Sequence, residues 1–252
     1  MKDIYLFITS LLVLASFPAM AQQAADTTTV APKTYRYGIR VGADLYRLTR
    51  SLYDDNYKGF EIVADYRLTK KIYVAAEIGN DNMTVDDDMI NFTTKGTYIQ
   101  AGFDYNTYEN WLDMENMIFV GVRYGFSSFS QNLNSYRVNQ NSNVQNTATS
   151  SNYFDDVVFY PNQEYGGLSA HWVEVLGGIK AELFDNLFLG FTVRLKSLVA
   201  NKKPEGFDNL YIPGFNRTYA GNFGVGFNYS LSYFIPLYKT QAKKAEEAAA
   251  KK

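Results

Sequence analysis

The sequence predicts an all-β fold, an eight-stranded antiparallel up-and-down transmembrane β-barrel. Period-two alternation of apolar with polar or tiny residues recurs in eight segments bounded by turn residues, which is the pattern of half-buried strands. Shorter and longer connections alternate between those segments, as in outer-membrane barrels, where short turns occupy one end and long loops the other. Aromatic residues make up 16% of the chain, with 21 Tyr and 18 Phe, at a mean hydropathy of only −0.25. Alternating strands bury one face, so the remaining apolar face needs apolar surroundings of its own.

The chain opens with Lys2, an apolar run from Ile4 to Phe17, and Pro18-Ala19-Met20-Ala21. A charged start, a short hydrophobic stretch and a small-residue A-x-A site in that order read as a signal peptide over residues 1–21. The run is shorter than the roughly 20 apolar residues of a membrane-spanning helix, and it has no counterpart later in the sequence. Residues 22–34 are polar and unpatterned and read as an N-terminal periplasmic linker. The eight candidate strands, 35–48, 58–68, 71–82, 95–106, 117–128, 168–183, 187–198 and 219–236, place the barrel over residues 35–238.

Thr69-Lys70 and Phe184-Asp185-Asn186 supply tight turns, and residues 107–116 a middle-sized one containing Trp111 and Leu112. The connections 49–57, 83–94, 129–167 and 199–218 are longer or more polar, and VVFY at 157–160 fits an extension of a hairpin beyond the barrel. An even strand count puts both termini on the periplasmic side. Residues 239–252 read as a helix-prone periplasmic tail, a departure from barrels that end on an aromatic strand residue.

Parity assigns the faces. One face carries the cations Arg36, Arg40, Arg67, Arg123, Lys180, Arg194 and Lys196 and the anions Asp44, Glu61, Asp65, Glu77, Asp104, Glu174 and Glu182, seven against seven. An eight-stranded bore is just wide enough for side chains to fill, and charges buried there must pair. Arginine, with five donors in a fixed fork, suits that work. The opposite face is uncharged through the middle of every strand, from Ile39, Val41 and Ala43 on the first to Val225, Phe227 and Leu231 on the last. Aromatics gather toward the strand ends: Tyr37, Tyr66, Tyr105, Phe184 and Tyr238 at the short-turn end, and Tyr46, Tyr98, Phe126, Trp172 and Tyr219 at the loop end, as two interfacial girdles. The rival arrangement is a secreted lipocalin-like carrier with the apolar face lining a cavity. It would place more Lys and Glu outside and has no use for aromatics at both rims.

The absence of cysteine excludes disulfides, zinc-thiolate sites and cysteine nucleophiles. A net charge of −2 gives no electrostatic case for nucleic acid. His171, the single histidine, is either a rim residue beside Trp172 or one half of a dyad with Asp155 or Asp156. Asp86-Asp87-Asp88, near Asp81 and Asn82, is either a solvated acidic loop or a set of hard oxygen ligands for calcium, at a spacing that matches no defined calcium loop. DNLYIPGFNRTY, residues 208–219, is too apolar for an idle surface loop. Tyr211, Ile212, Phe215 and Arg217 are its candidates, for docking on another protein or folding over the barrel mouth, with simple self-packing as the alternative.

The segments YKGFEIVADYRL, NFTTKGTYI, FDYNTYENWL, VGVRYGFSSFSQ, LSAHWVE, DNLYIPGFNRTY and FNYSLSYFIPLYK together resemble an outer-membrane family of unknown function from Bacteroidota, domain of unknown function 6048. The resemblance spans residues 35–238 and implies a small barrel in the outer membrane, with no activity, cofactor or catalytic residue attached. Asp26-Thr27-Thr28 also resembles the short O-glycosylation sequence of that phylum. The expectation is an integral outer-membrane structural or interaction protein, an accessory subunit of an envelope assembly. It contacts outer-membrane lipid and another envelope protein, with no cofactor, metal or enzymatic chemistry. A narrow pore and a lipid-acting barrel enzyme are the alternatives of other classes.

Overall fold

A computed structural model describes residues 34–108, 115–138, 157–206, 208–218 and 221–241. The expected signal peptide, most of the linker, Trp111 and Leu112, Asp155 and Asp156, Tyr219 and the tail beyond residue 241 lie outside the described residues. The elements are β1 (Thr34–Asp44), α1 (Leu45–Tyr53), β2 (Tyr57–Arg67), β3 (Ile72–Asp87), β4 (Ile90–Asn106), β5 (Met117–Val138), β6 (Val157–Phe159), β7 (Gln163–Phe184), β8 (Leu187–Lys202), β9 (Tyr211–Ile212), β10 (Asn216–Arg217) and β11 (Phe223–Gln241).

Eight of these strands pair antiparallel in the ring β1-β2-β3-β4-β5-β7-β8-β11, and β11 closes back on β1. No strand of this ring has a free edge along its paired length, which is how a barrel satisfies its backbone polar groups. Short β6 extends β5 beyond the ring, with Arg137 opposite Val158. The pair β9–β10 is a separate small hairpin.

The outer face is apolar and open. Ile78 is 55% exposed and Val122 53%, although each lies at the middle of a long, fully paired strand. Among the described residues, no outward position between the rims is charged. Polar residues begin at the loop end, where Lys58, Asn82 and Lys95 stand side by side across β2, β3 and β4. Among the described residues no helix is long and apolar enough to cross a membrane.

Several boundaries differ from those the sequence predicts, each for a physical reason. The first strand stops at Asp44 rather than residue 48, because the Asp44 carboxylate accepts the amides of Tyr46 at 2.7 Å and Arg47 at 3.4 Å and caps a helix. Leu45, Leu48 and Leu52 then recur at helical rather than strand spacing, and Arg50 closes on Asp54 at 2.9 Å. What reads as a polar loop at 83–94 is instead the top of a hairpin. β3 and β4 stay paired up to Asp87 and Ile90, held where Val85 and Phe92 turn inward to Tyr211. β5 likewise runs to Val138, and β7 begins at Gln163. Beyond Pro236 the last strand continues to Gln241. A bulge at Tyr37/Gly38 absorbs the imino acid, which has no ladder donor to offer. At the loop end, described strands thus extend through stretches that the sequence reads as loops.

Candidate functional site

The candidate site is the bore. Its inward positions build three layers of charge. At the short-turn end Arg36 meets Glu182 at 2.8 Å, and Arg67 meets Glu115 at 2.7 Å. In the middle, Asp65 takes Arg40 Nε at 2.7 Å on one oxygen and Lys180 Nζ at 2.6 Å on the other. Above it, Glu77 accepts Arg194 at 2.7 Å and Arg123 at 3.3 Å, Arg123 grips both oxygens of Asp104, and Glu174 takes Arg194, Lys196 and the Trp172 indole N–H.

Ring order turns these contacts into cross-braces. β2 and β7 lie four strands apart in an eight-strand ring, as do β3 and β8. The Lys180–Asp65 and Arg194–Glu77 pairs thus span the bore from wall to opposite wall. Aromatic and thioether side chains fill the gaps between ion pairs. Arg40 lies 4.9 Å over the Tyr73 ring and 5.2 Å over Phe188 and donates to Met117 Sδ, while Tyr73, Met117, Phe119 and Leu176 pack together beside it.

Toward the loop end, that third layer also holds residues outside the fourteen assigned to the bore from the sequence. Arg47 swings off α1 into the bore and binds Asp81 at 2.6 Å, Glu61 at 3.2 Å and the Tyr57 hydroxyl at 2.9 Å. Tyr98 donates to the same Glu61 oxygen at 2.5 Å. Asp81 is fully buried; it shares the parity of Glu77 and Gly79 and belongs to the bore rather than to the acidic loop. Tyr98 and Trp172, 2% and 0% exposed, are also inside and not in the loop-end girdle. Their parity with Gln100 and Glu174 places them there. Glu115, in the turn before β5, completes the lowest layer and carried no strand pattern to reveal it.

Residues 208–218 fold into the loop-end mouth. Tyr211, Ile212 and Phe215 are buried, whereas Arg217 is exposed and pairs with Asp87. Of the roles open to this loop, its apolar side chains serve folding over the barrel mouth, because the mouth offers an apolar lining of Tyr98, Phe129, Leu168 and Trp172. Tyr211, Ile212 and Phe215 thus face into the mouth, and Arg217 remains at its surface. The tip is tied by its backbone: Gly214 N donates to Asp81 Oδ2 at 3.0 Å, and Gly214 O accepts Lys196 Nζ at 2.6 Å. Gly214 has φ +81 and lies against the Tyr98 ring, leaving no room for a side chain. Burial, and then the Asp81 charge, push the Tyr211 phenol well above its ordinary pKa, so it remains a donor to Asp81.

Asp81→Asn should loosen this plug without opening the barrel. Charged hydrogen bonds of this kind contribute about 1.5–3 kcal/mol each, and Asn keeps the volume while removing the charge. Proteolysis of residues 203–218 in an otherwise resistant barrel is the expected result.

The remaining candidates sit elsewhere. His171 lies at the outer rim opposite Phe126 in the register, and its Nδ1 is 2.8 Å from the Tyr124 hydroxyl; the aspartates proposed as its dyad partners are outside the described residues. Asp86, Asp87 and Asp88 are exposed, with Asp86 accepting Asn91 and Asp87 holding Arg217. Among the described residues no group of three or more His, Cys, Asp or Glu could hold a metal ion.

Among solved structures the chain is similar to Ail, the attachment invasion locus protein of Yersinia pestis, at 10% identity and a TM-score of 0.38, covering 81% of this chain and 98% of that one. It is also similar to Neisserial surface protein A, at 11% identity and a TM-score of 0.37, covering 83% and 97% respectively. Identities of this size carry no functional information. No curated protein matches the chain. A family model does match, over residues 4–240. With nearly its whole length inside that model, the chain belongs to the family described as a domain of unknown function, DUF6048.

Proposed function

We propose that the protein is an integral outer-membrane β-barrel, with both termini periplasmic, that acts as a structural or interaction protein of the cell envelope. The observation that carries this reading is the inversion of its two faces. The outer wall is an uninterrupted apolar belt with Ile78, Val122 and Val175 more than half exposed, while the bore holds buried, paired charges such as Arg194 and Glu77. A water-soluble monomer rarely exposes an apolar patch beyond roughly 300–600 Å². Lipid removes that cost, and aromatic side chains such as Tyr37 and Tyr238, stacked with ring centroids 5.1 Å apart, suit its interface.

Cross-braces from wall to wall and a plug at the mouth favour a closed bore over a pore. With the bore closed, the surface is what the barrel has to offer, which favours a role in an envelope assembly over transport or lipid chemistry.

Co-purification from native membranes in several mild detergents tests this reading. A second envelope protein retained at fixed stoichiometry is the expected result, and a lone barrel under every condition contradicts the assembly role. Release by alkaline carbonate without detergent contradicts membrane integration. Planar bilayers should stay silent; discrete conductance steps that Arg194→Ala alters would restore the pore.

A further inference from the structure

Beside the plug, the loop end of the bore keeps a cavity of about 510 Å³, within the range of roughly 300–1,000 Å³ typical of small-ligand sites. It runs from Asp54 and Asp87 at the rim down to Gln100, Arg194 and Lys196. We propose that this cavity binds a neutral saccharide of one or two sugar units, entering from the loop end.

Charge bookkeeping within the cavity selects for neutrality. Every cation of the lining already has a carboxylate: Arg47 has Glu61 and Asp81, Arg50 has Asp54, Arg194 has Glu77 and Glu174, Lys196 has Glu174, and Arg217 has Asp87. An anion would have to break one of these pairs and leave a charge uncompensated at low dielectric. A cation reaching the Glu61 carboxylate would stand beside the Arg47 guanidinium that already holds it. Hydroxyls, which donate and accept at once, fit the mixture of amides and carboxylates without that exchange.

One acceptor is unfilled. Glu61 lines the cavity and is 2% exposed. Its Oε2 takes Arg47 and Tyr98, and its Oε1 has no hydrogen-bond partner in the protein. A buried acceptor of this kind favours a ligand that brings donors.

The walls supply the other half of sugar recognition. Tyr57 and Tyr211 line the cavity from inside the bore, and aromatic rings there suit the C–H faces of a pyranose. Gly226 makes the space. A side chain built there would come within 3.3 Å of Lys196 Cε and 3.8 Å of Asn216 Nδ2, filling the volume between them. Asn216 itself is held at φ +95, a strained conformation for a residue with a Cβ, at the edge of the same space.

The test is saturation-transfer NMR on the full barrel in an amine-oxide detergent, since maltoside headgroups would themselves compete. Glucose, maltose and N-acetylglucosamine are the neutral compounds to offer, and choline and methyl phosphate, which carry C–H protons to observe, are the charged comparisons. Transfer to at least one sugar is expected, with loss in Gly226→Leu and in Asn228→Leu, at a residue that lines the same cavity and accepts Arg194 Nε at 3.3 Å. Heat-modifiable gel mobility shows which variants fold, and Asn228→Leu alone decides if Gly226→Leu does not. No transfer to any sugar, transfer undiminished in the folded variants, or stronger transfer to choline or methyl phosphate overturns the proposal.

Discussion

Glu77→Leu is expected to cost the barrel about 3–5 kcal/mol, the range for breaking a buried ion pair by removing one partner. Glu77 is 5% exposed and holds two guanidiniums from different walls, Arg194 and Arg123. Without it, Arg194 keeps Glu174 and Gln100, and Arg123 keeps Asp104, so the bore retains contacts but gains uncompensated positive charge. The cost comes from that imbalance among buried groups at low dielectric, more than from lost attraction. Urea unfolding in detergent measures it. Lys203→Ala, which breaks the Lys203–Asp208 pair at the surface, provides the contrast, since exposed pairs contribute about 0–1 kcal/mol. Equal effects of the two variants would show that the bore is wet and its pairs are screened.

Val122→Arg probes the other face. Val122 stands between Phe103 on β4 and Val175 on β7 on the outer wall, and all three are more than half exposed. In phospholipid vesicles a cation there should cost about 2–4 kcal/mol if the position lies near the bilayer midplane. On a water-facing wall the same change stays within about 0.5 kcal/mol. Folding yield into vesicles, followed by urea titration, separates the two. A near-neutral result would place Val122 in water and remove the membrane from the account.

Much of this architecture was legible in the alternation alone. Residues 35–44 announce their two faces, and the same parity puts Glu77, Arg123 and Arg194 together on the inner wall before any pairing is known. What escaped did so where period two breaks or where composition misleads. Arg47 sits at an outward position of an extended strand, and the Asp44 cap, turning the chain into α1, sends it inward. Asp81 kept its inward parity yet sat close to Asp86-Asp87-Asp88, so its acidity read as part of a solvated loop. The chemistry of Tyr98 and Trp172 and their position along the strand suit a girdle, although parity places them inside.

The plug was harder still. Residues 208–218 carry only two-residue strands, so neither alternation nor helical spacing marks their fold. Their apolarity signalled a need for cover, and what supplies it is the mouth of the barrel itself, formed by residues far away in sequence such as Tyr98, Phe129 and Trp172.

The inversion of faces is the central claim, and the absence of native cysteine gives it a direct measurement. Single cysteines placed at Val41, Val122 and Val193 on the outer wall, and at Lys95 on the loop-end rim, can be treated with a charged, membrane-impermeant maleimide in vesicles and again after urea unfolding. The account predicts that Lys95→Cys reacts in vesicles, while the three outer-wall cysteines react only once the barrel is unfolded. Prompt labelling at Val41, Val122 and Val193 in the folded, vesicle-reconstituted protein would contradict it.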